Sequence, residues 1–437
     1  MAVLAASLTE LRTKTLSIAS DSLQLGSIMR EFLQRRILSV TRTNSPTRRK
    51  FISNGLAASG ALALGLSGGG LATARAERTR FREGLVDPDN ESREITGPGS
   101  LKAHAGSRGL LTGAAVEAQL LAMNAAVEKI VADQCSILVA ENSMKVGPMR
   151  PAPDKFSFEA GDALVAFGDA HGIKVRGHNP CWHAQLPRWF NSVATKDNAQ
   201  QLLVEHIRTV AGHFKGRLQS WDVVNEAVQV SDGRPDGLRN GPWLKLLGPE
   251  FIPLAFRTAR EADPNVLLTY NDYGIETDHP DDVKKRAAVL ELVRGMKANN
   301  VPIDAVGIQS HIHAGWSTSD GNGLREFMRS IREMGLKIFV TEMDVNDDQM
   351  KSEDSAEIDL AVGKTYRDYL DLMMQEPALA VVITWGVTDA HTWLGGGRRP
   401  NQTQQPRPPQ RPLPFDAQNQ PKEAFYAMRQ SFDTRPV

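Results

Sequence analysis

Short apolar runs alternate with longer amphipathic stretches from residue 110 to the end of the chain. The runs are rich in Val, Ile and Leu, which is typical of strands buried on both faces of a parallel sheet. There are eight of them: LLTGAAVE (110–117), ILVAEN (137–142), KVRGHN (174–179), SWDVVNEAV (220–228), LLTYND (267–272), AVGIQSH (305–311), KIFVTEMDV (337–345) and VVITWGV (381–387).

The stretches between the runs have apolar residues at three- and four-residue spacing, which predicts helices. The clearest are residues 125–134, 199–214 and 282–300. Eight strand-then-helix alternations predict an α/β fold, a (β/α)8 TIM barrel with a single catalytic domain. A doubly wound open sheet is the alternative, but it calls for a glycine-rich phosphate loop after the first strand, and no GxGxxG follows that strand.

Polar residues cluster at the carboxyl end of six of the eight runs, while the apolar residues lie upstream. Active sites of such barrels form at these strand ends, so the pattern predicts one shared polar cleft. The residues are Glu141 and Asn142, His178 and Asn179, Asn225 and Glu226, Asn271 and Asp272, Gln309 and His311, Glu342 and Asp344.

Two of these strand ends carry glutamates that suit acid–base and nucleophilic chemistry. Glu226 closes the fourth run and Glu342 the seventh, and strands four and seven face each other across the mouth of an eight-stranded barrel. Glycoside hydrolysis uses two opposed carboxylates, one protonating the leaving oxygen while the other attacks the anomeric carbon.

Eight sequence motifs resemble those of glycoside hydrolase family 10, the endo-β-1,4-xylanases, in the order that the family has them. WDVVNEA (221–227) resembles the acid/base motif and TEMDV (341–345) the nucleophile motif. The others are AENSMK (140–145), RGHNPCWHAQLPRW (176–189), YNDY (270–273), GIQSHIHAG (307–315), ITWGVTDAHTWL (383–394) and PFDAQNQPKEAFYAM (414–428). The resemblance covers residues 110–435.

The resemblance implies a role for each matching residue. Glu226 is the general acid/base, Glu342 the nucleophile, and Asn225 a donor to the sugar 2-hydroxyl. His311 orients Glu342, with Asp344 behind it, and Gln309 lies beside the catalytic pair. The remaining implied substrate-binding residues are Glu141, Asn142, Lys145, His178 and Gln185 on the non-reducing side, Trp182, Trp385 and Trp393 around the cleaved sugar, and Tyr273 on the leaving-group side.

The sequence departs from the family in two places near the cleft. Val146 stands where a Trp usually follows the Lys, and Asn179-Pro180-Cys181 replaces a Thr-Leu-Val-like run. These changes bear on which glycans fit. His311-x-His313 also resembles a metal pair, but a third ligand is not evident, so neither a metal nor any other cofactor is expected.

Composition and charge narrow the class of protein. The chain is 41% hydrophobic and 23% charged, with a formal net charge of zero that hides +8 on residues 1–80 and −8 on residues 81–437. A mildly acidic body gives no reason to expect nucleic-acid binding. Cys135 and Cys181 form no CxxC motif and fall at opposite ends of neighbouring predicted strands, so we expect no disulfide.

The first 76 residues resemble an export leader. Arg48 and Arg49 precede an uncharged Ala/Gly/Leu-rich run that ends in small residues at A-x-A spacing, as in a twin-arginine signal. The translation start is Met1 or Met29. A periplasmic or secreted protein is expected, with no membrane association after signal cleavage; an uncleaved anchor is the alternative.

Two further segments flank or interrupt the barrel of residues 110–437. Residues 77–109 are expected to form an extended N-terminal arm on the barrel. Residues 395–414, rich in Pro, Gln and Arg, are expected to form an irregular loop at the mouth. Its four arginines either face solvent or meet acidic substituents of a glycan.

Four functions compete on these observations. The first is a monomeric, exported, retaining endo-xylanase acting on xylan or xylo-oligosaccharides. The second is an endo-β-1,4-glucanase or a mixed-specificity β-glycanase on the same barrel. The third is a non-catalytic carbohydrate-binding barrel, which we would expect to lack one of the two carboxylates. The fourth is a metal-dependent hydrolase, for which no ligand set can be assembled.

Overall fold

Eight parallel strands form a ring in the computed structural model, which describes residues 94–316, 321–395 and 409–436. They match the eight predicted runs, and a short extra strand follows the sixth run. The bounds are β1 Leu111–Val116, β2 Ile137–Ala140, β3 Lys174–His178, β4 Ser220–Asn225, β5 Leu267–Asp272, β6 Ala305–Ile308, β7 His311–His313, β8 Lys337–Asn346 and β9 Leu379–Thr384.

The strand order closes on itself. Consecutive strands pair from β1 to β6, β6 pairs with β8, β8 with β9, and β9 returns to β1. A closed ring excludes the doubly wound open sheet and confirms the predicted (β/α)8 barrel. The short strand β7 pairs with the far end of β8, which places His311 opposite Asp344.

Helices follow the strands as predicted, including those expected over 125–134, 199–214 and 282–300. A minority of their starts are capped by a side chain, as where the Asn124 side chain accepts from the backbone N–H of Val127. The bounds are α1 Leu101–Ser107, α2 Ala118–Met123, α3 Ala125–Gln134, α4 Val146–Met149, α5 Glu159–His171, α6 Phe190–Val193, α7 Ala199–His213, α8 Pro242–Leu247, α9 Phe251–Ala262, α10 Pro280–Ala298, α11 Asn322–Glu333, α12 Ser355–Met373 and α13 Glu423–Asp433.

Apolar residues form two clusters on the two faces of the ring. Ile137 and Val139 of β2 belong to the smaller cluster, whereas Leu138 between them belongs to the larger one. Side chains alternate between the faces of a strand, so the smaller cluster fills the barrel and the larger one lies between strands and helices. The barrel also encloses a buried ion pair between Arg176 and Asp222.

The segment before β1 differs from expectation. The described part of the predicted extended arm, residues 94–109, contains helix α1, which the Ser100 side chain caps. Leu101 and Ala105 are buried against β1 and α13. A seven-residue helix was missed because its apolar positions are too few to show helical spacing.

The end of the Pro-rich segment is anchored to the barrel rather than solvated. Arg411 donates two hydrogen bonds of 2.7 Å to Asp359, and Leu413 is fully buried. Arg411 therefore has a structural partner within the protein. The other three arginines of residues 395–414 lie outside the described residues, as does the leader.

Lys422 holds this anchor together, and its loss should destabilise the protein. Its Nζ lies 2.7 Å from Asp389 Oδ2 and 3.5 Å from Asp359 Oδ1, and all three side chains are buried. Burial raises the pKa of Asp389 to about 6, against the opposing effect of Lys422. Breaking a buried pair leaves an uncompensated charge, so Lys422→Met should cost about 3–5 kcal/mol in the free energy of unfolding.

Chemical denaturation measures this loss, with Lys364→Met as the control. Lys364 is exposed and pairs with Asp368 one helical turn away, so removing it should cost less than about 1 kcal/mol. Equal losses in the two variants would show that the buried cluster contributes nothing particular.

Candidate active site

Glu226 and Glu342 lie at the mouth of the barrel, Glu226 just after β4 and Glu342 just beyond the last β8 residue that pairs with β6. Glu226 directly follows β4 in a left-handed conformation, with φ of 56°, and its N–H donates to the carbonyl of Asn271 on β5. Such a backbone is strained for a residue other than glycine, and strain of this kind concentrates at functional sites. Glu342 lies within β8 and is 5% exposed.

The carboxylate of Glu226 accepts three hydrogen bonds. Trp182 Nε1 donates to Oε2 at 2.9 Å, while Gln309 Nε2 and Asn225 Nδ2 donate to Oε1 at 3.0 and 3.2 Å. His183 Nδ1 lies 3.8 Å from Oε2. Trp182 and Gln309, which were predicted from the sequence, thus meet at Glu226 from different loops.

The carboxylate of Glu342 is held by Asn271 and His311. Asn271 Nδ2 donates at 2.7 Å, and His311 Nε2 lies 3.3 Å from the other oxygen. Burial by itself raises the pKa of Glu342, but the His311 hydrogen bond, the charges of His178 and His311 and the Asn271 bond lower it below its ordinary value. The site therefore favours an ionised Glu342, as a nucleophile requires.

Three amides connect the two carboxylates. The side-chain oxygen Oδ1 of Asn225 accepts from Asn271 Nδ2 at 3.0 Å and from Gln309 Nε2 at 3.3 Å. These two amides also donate to Glu342 and Glu226, respectively. Thr341 Oγ1 donates to Asn271 Oδ1 at 2.7 Å, which fixes the orientation of that amide. A Cβ at Gly307 would lie 2.2 Å from the same oxygen, so only glycine leaves room for Asn271 there.

His311 bridges Glu342 and Asp344. Its Nδ1 lies 3.0 Å from Asp344 Oδ1, and Asp344 Oδ2 accepts from Trp393 Nε1 at 2.6 Å. Burial opposes a charge on His311, but Asp344 and Glu342 together raise its pKa well above the ordinary value. The predicted pair of His311 and Asp344 is thus brought together, and Trp393, predicted separately at the cleaved sugar, joins it from the rim, where this residue is 55% exposed.

Lys145 lies in the cleft rather than on the surface. It is 5% exposed, its Nζ donates to Asn142 Oδ1 at 2.9 Å, and the ammonium is 5.0 Å from the Trp182 ring and 5.7 Å from the Trp385 ring. Burial lowers the pKa of Lys145, opposed by Glu342 and other nearby carboxylates. Burial, followed by the charge of Glu117, raises the pKa of Glu141 in the same region.

The other predicted residues of this side are His178, at the end of β3, and Gln185 in the loop that follows. His178 Nδ1 is 2.9 Å from Asp222, its Nε2 is 3.1 Å from Asn179 Nδ2, and its ring meets Trp385 edge-on. Gln185 is exposed, with a left-handed φ of 48°. The departure at Asn179 therefore touches a predicted sugar-binding histidine directly.

Tyr273 is linked to Glu226 through Arg239. Arg239 Nη2 donates to its hydroxyl at 3.0 Å, and Lys285 Nζ lies 3.8 Å from its ring. Arg239 Nε also donates to the backbone carbonyl of Glu226 at 2.8 Å. Sequence reasoning missed Arg239, which comes from a loop, and Lys285, because the periodicity of its helix does not show which charged side chain turns toward the cleft.

Sequence reasoning also missed His183 and the bridging role of Asn271. Burial and Arg239 lower the pKa of His183 to about 4, so a neutral imidazole lies beside Glu226. The position of His183 next to Trp182 and that of Asn271 at a strand end were the available signals. The buried thiols Cys135 and Cys181 are not bonded to each other.

Residues 94–316, 321–395 and 409–436 contain neither a metal-binding cluster nor a membrane-spanning helix. No three His, Cys, Asp or Glu side chains there converge in a way that would hold a metal ion. Among the helices of these ranges, none combines the length and apolarity needed to cross a bilayer.

Closed parallel barrels with two hydrogen-bonded glutamates among tryptophans at the carboxyl ends are typical of glycoside hydrolases. The family model described as glycosyl hydrolase family 10 matches residues 100–431. The chain therefore belongs to glycosyl hydrolase family 10, as its motifs suggested.

Individual relatives agree. The chain is 36% identical over 314 residues to endo-1,4-beta-xylanase A of Thermoanaerobacterium saccharolyticum, covering 69% of this chain but only 25% of that one. It is 35% identical over 313 residues to a beta-1,4-xylanase of Dictyoglomus thermophilum, covering 68% and 82%. Xylanase 10B of Thermotoga petrophila RKU-1 in complex with xylobiose superposes with a TM-score of 0.68 at 31% identity, covering 76% of this chain and 97% of that one.

Proposed function

We propose that this protein hydrolyses internal β-1,4-xylosidic bonds of xylan with retention of configuration. The observation that carries the proposal is the pair of differently held glutamates. Glu342 is nearly buried and kept ionised by His311, whereas Glu226 is partly exposed, with neutral donors on both oxygens. Two carboxylates in different environments suit two different roles in one reaction.

The residues act in two steps. Glu342 attacks the anomeric carbon while Glu226 gives its proton to the leaving oxygen, and a glycosyl-enzyme ester forms. Glu226 then takes a proton from the water that releases the sugar. Asn225 Nδ2 makes only a 3.2 Å bond to Glu226, so it can exchange this bond for one to a substrate hydroxyl while Asn225 Oδ1 keeps its donors Asn271 and Gln309.

The choice of xylan over other glycans rests on the relatives and on the aromatic walls. Most of the similar proteins are named as xylanases, and one of the similar structures holds xylobiose, whereas one relative, 35% identical over 314 residues, is named exoglucanase XynX. Trp385 and Trp393 flank the His311 ring, at 6.4 and 5.2 Å between ring centroids. This crowding disfavours the C5 hydroxymethyl group that glucose has and xylose lacks. Because both carboxylates are present, a purely binding role is less favoured.

Product analysis tests the substrate class. The full chain is incubated with glucuronoxylan and with carboxymethyl-cellulose, and Glu342→Ala serves as the inactive control. Short xylo-oligomers from xylan alone support the proposal. Cleavage of cellulose instead would point to the β-glucanase alternative. Val146 and Asn179 would then be the first residues to replace by those usual in the family.

The pH dependence should depend on His311. Activity needs ionised Glu342, so the rate falls when the pH drops through the pKa of that group. His311→Asn removes a hydrogen bond and a positive charge that lower this pKa, so the acidic limb of kcat/KM should move up by about one pH unit. The control is His313→Asn on the same strand, which is 49% exposed and should leave the limb unchanged.

We further propose that residues 1–76 direct export by a twin-arginine route and that the exported protein is a monomer. The leader lies outside the described residues, so the proposal rests on its sequence. Replacing Arg48 and Arg49 by Lys should retain the protein in the cytoplasm. N-terminal sequencing of exported protein should place the start just after the A-x-A spacing, and light scattering measures its mass.

A further inference from the structure

The tripeptide Gln309–Ser310–His311 touches both catalytic carboxylates. Gln309 Nε2 donates to Glu226, and His311 Nε2 lies 3.3 Å from Glu342. The backbone carbonyl of Gln309 also accepts from the N–H of Glu342 at 3.0 Å. A small shift of this one tripeptide would therefore move the partners of Glu226 and Glu342 together.

The middle residue of the tripeptide has a strained backbone. Ser310 is fully buried with φ of 65°, a left-handed conformation that is unfavourable for a residue other than glycine. Such a conformation persists only where surrounding contacts impose it. Here the Ser310 Oγ lies 2.7 Å from the Tyr369 hydroxyl, and its backbone N–H donates to Glu276 Oε1 at 2.9 Å.

Glu276 is a buried carboxyl group that both proposed catalytic steps leave unused. It is 2% exposed, and its second oxygen accepts from the backbone N–H of Ile275 at 2.7 Å. Burial raises the pKa of Glu276 to about 7; Asp282 adds to this, while the two backbone bonds and His311 oppose it. Burial, followed by the charge of Glu276, raises the pKa of Tyr369 on α12. A carboxyl kept in so unfavourable a place needs a reason other than stability.

We propose that Glu276 is a positioning residue that fixes Ser310 in its left-handed conformation and thereby sets His311 and Gln309 against the two catalytic glutamates. Its two oxygens match two backbone N–H groups, and no amide side chain offers two such acceptors. The inference rests on the proposed function for its catalytic meaning, but the positioning itself can be measured without substrate.

The test compares Glu276→Gln with Glu276→Asp in the full chain, using NMR titration of the His311 ring, with His311→Asn to assign its signals. In the unchanged protein the midpoint of His311 should lie well above 6.5. Glu276→Gln turns an NH2 group toward one backbone N–H, which should displace Ser310 and lower the His311 midpoint by about one pH unit. Glu276→Asp keeps the charge but shortens the reach, and should lower it as well.

A matched control separates positioning from general loss of stability. Glu376 is also a nearly buried glutamate that accepts from a backbone N–H, that of Ala378 at 2.9 Å, but it precedes β9 at the opposite end of the barrel. Glu376→Gln should lower the melting temperature while leaving the His311 midpoint unchanged. The proposal would be overturned if the His311 midpoint in Glu276→Gln were unchanged. It would also be overturned if the midpoint fell in Glu276→Gln but not in Glu276→Asp, because only the charge would then matter.

Kinetics with an aryl β-xylobioside add the catalytic readout. Glu276→Gln should lower kcat by about 10–100-fold with KM changed less than about threefold, because misplaced catalytic groups slow the bound substrate. Glu376→Gln should stay within about twofold. Absence of turnover in the unchanged protein would refute the proposed function, whereas the NMR comparison would still decide the role of Glu276.

Discussion

Replacing Glu342 by alanine should abolish xylan hydrolysis, lowering kcat/KM by about 10⁴-fold or more. Its hydrogen-bonding neighbours cannot attack in its stead, because the Asn271 amide nitrogen and the His311 imidazole act as donors to the carboxylate. Initial rates of reducing-sugar release from glucuronoxylan measure the effect. Residual activity near that of the unchanged protein would rule Glu342 out as the nucleophile.

The loss of activity in Glu342→Ala identifies the nucleophile only if this variant is folded. The alanine leaves Asn271 Nδ2 and His311 Nε2 without the carboxylate, so some stability loss is expected, and melting temperature and circular dichroism measure it. Added azide tells a chemical defect from a structural one. It can occupy the space of the missing carboxylate and attack an activated aryl xylobioside from the same side, giving a glycosyl azide of inverted configuration.

Much of this site could be predicted from the sequence because strand ends in a barrel converge. The apolar runs identified the eight strands of the ring, and their direction places the residue after each run at one mouth. Glu226, His311, Glu342 and their neighbours follow from that geometry together with the family motifs. In a barrel, residues that are far apart in the sequence but lie at strand ends can therefore be predicted to meet.

The remaining groups could not be predicted because they depend on how loops and helices pack. Arg239 reaches the carbonyl of Glu226 from a loop, and Glu276 reaches Ser310 from another. Neither has a periodic neighbourhood, since loop residues obey no repeat of 2 or 3.6. Arg411 pairs with Asp359 on α12. The sequence analysis expected it to face solvent or substrate, because the irregular loop that carries it shows no pattern that would reveal this partner.

Replacing Glu226 by alanine should separate substrates by their leaving groups. When xylan is cleaved, the leaving group is a sugar alcohol, which is a weak acid and must be protonated. The kcat/KM for xylan should therefore fall by about 10²–10⁴-fold. The 2,4-dinitrophenolate of a 2,4-dinitrophenyl β-xylobioside departs without protonation. The kcat/KM for this substrate should therefore fall by less than about tenfold. Its kcat should drop further, because release of the glycosyl-enzyme still needs Glu226 as a base.

The configuration of an azide product distinguishes this role from that of Glu342. In Glu226→Ala the nucleophile remains, so azide attacks the glycosyl-enzyme ester from the opposite face and gives a glycosyl azide of retained configuration. Trp182→Phe is a useful companion, since it removes the 2.9 Å donor to Glu226 but keeps the carboxylate, and should preserve activity on both substrates better than the alanine variant. Equal losses on xylan and on the activated substrate in Glu226→Ala would assign the proton transfer to another group, and His183, 3.8 Å away, would be the next to replace.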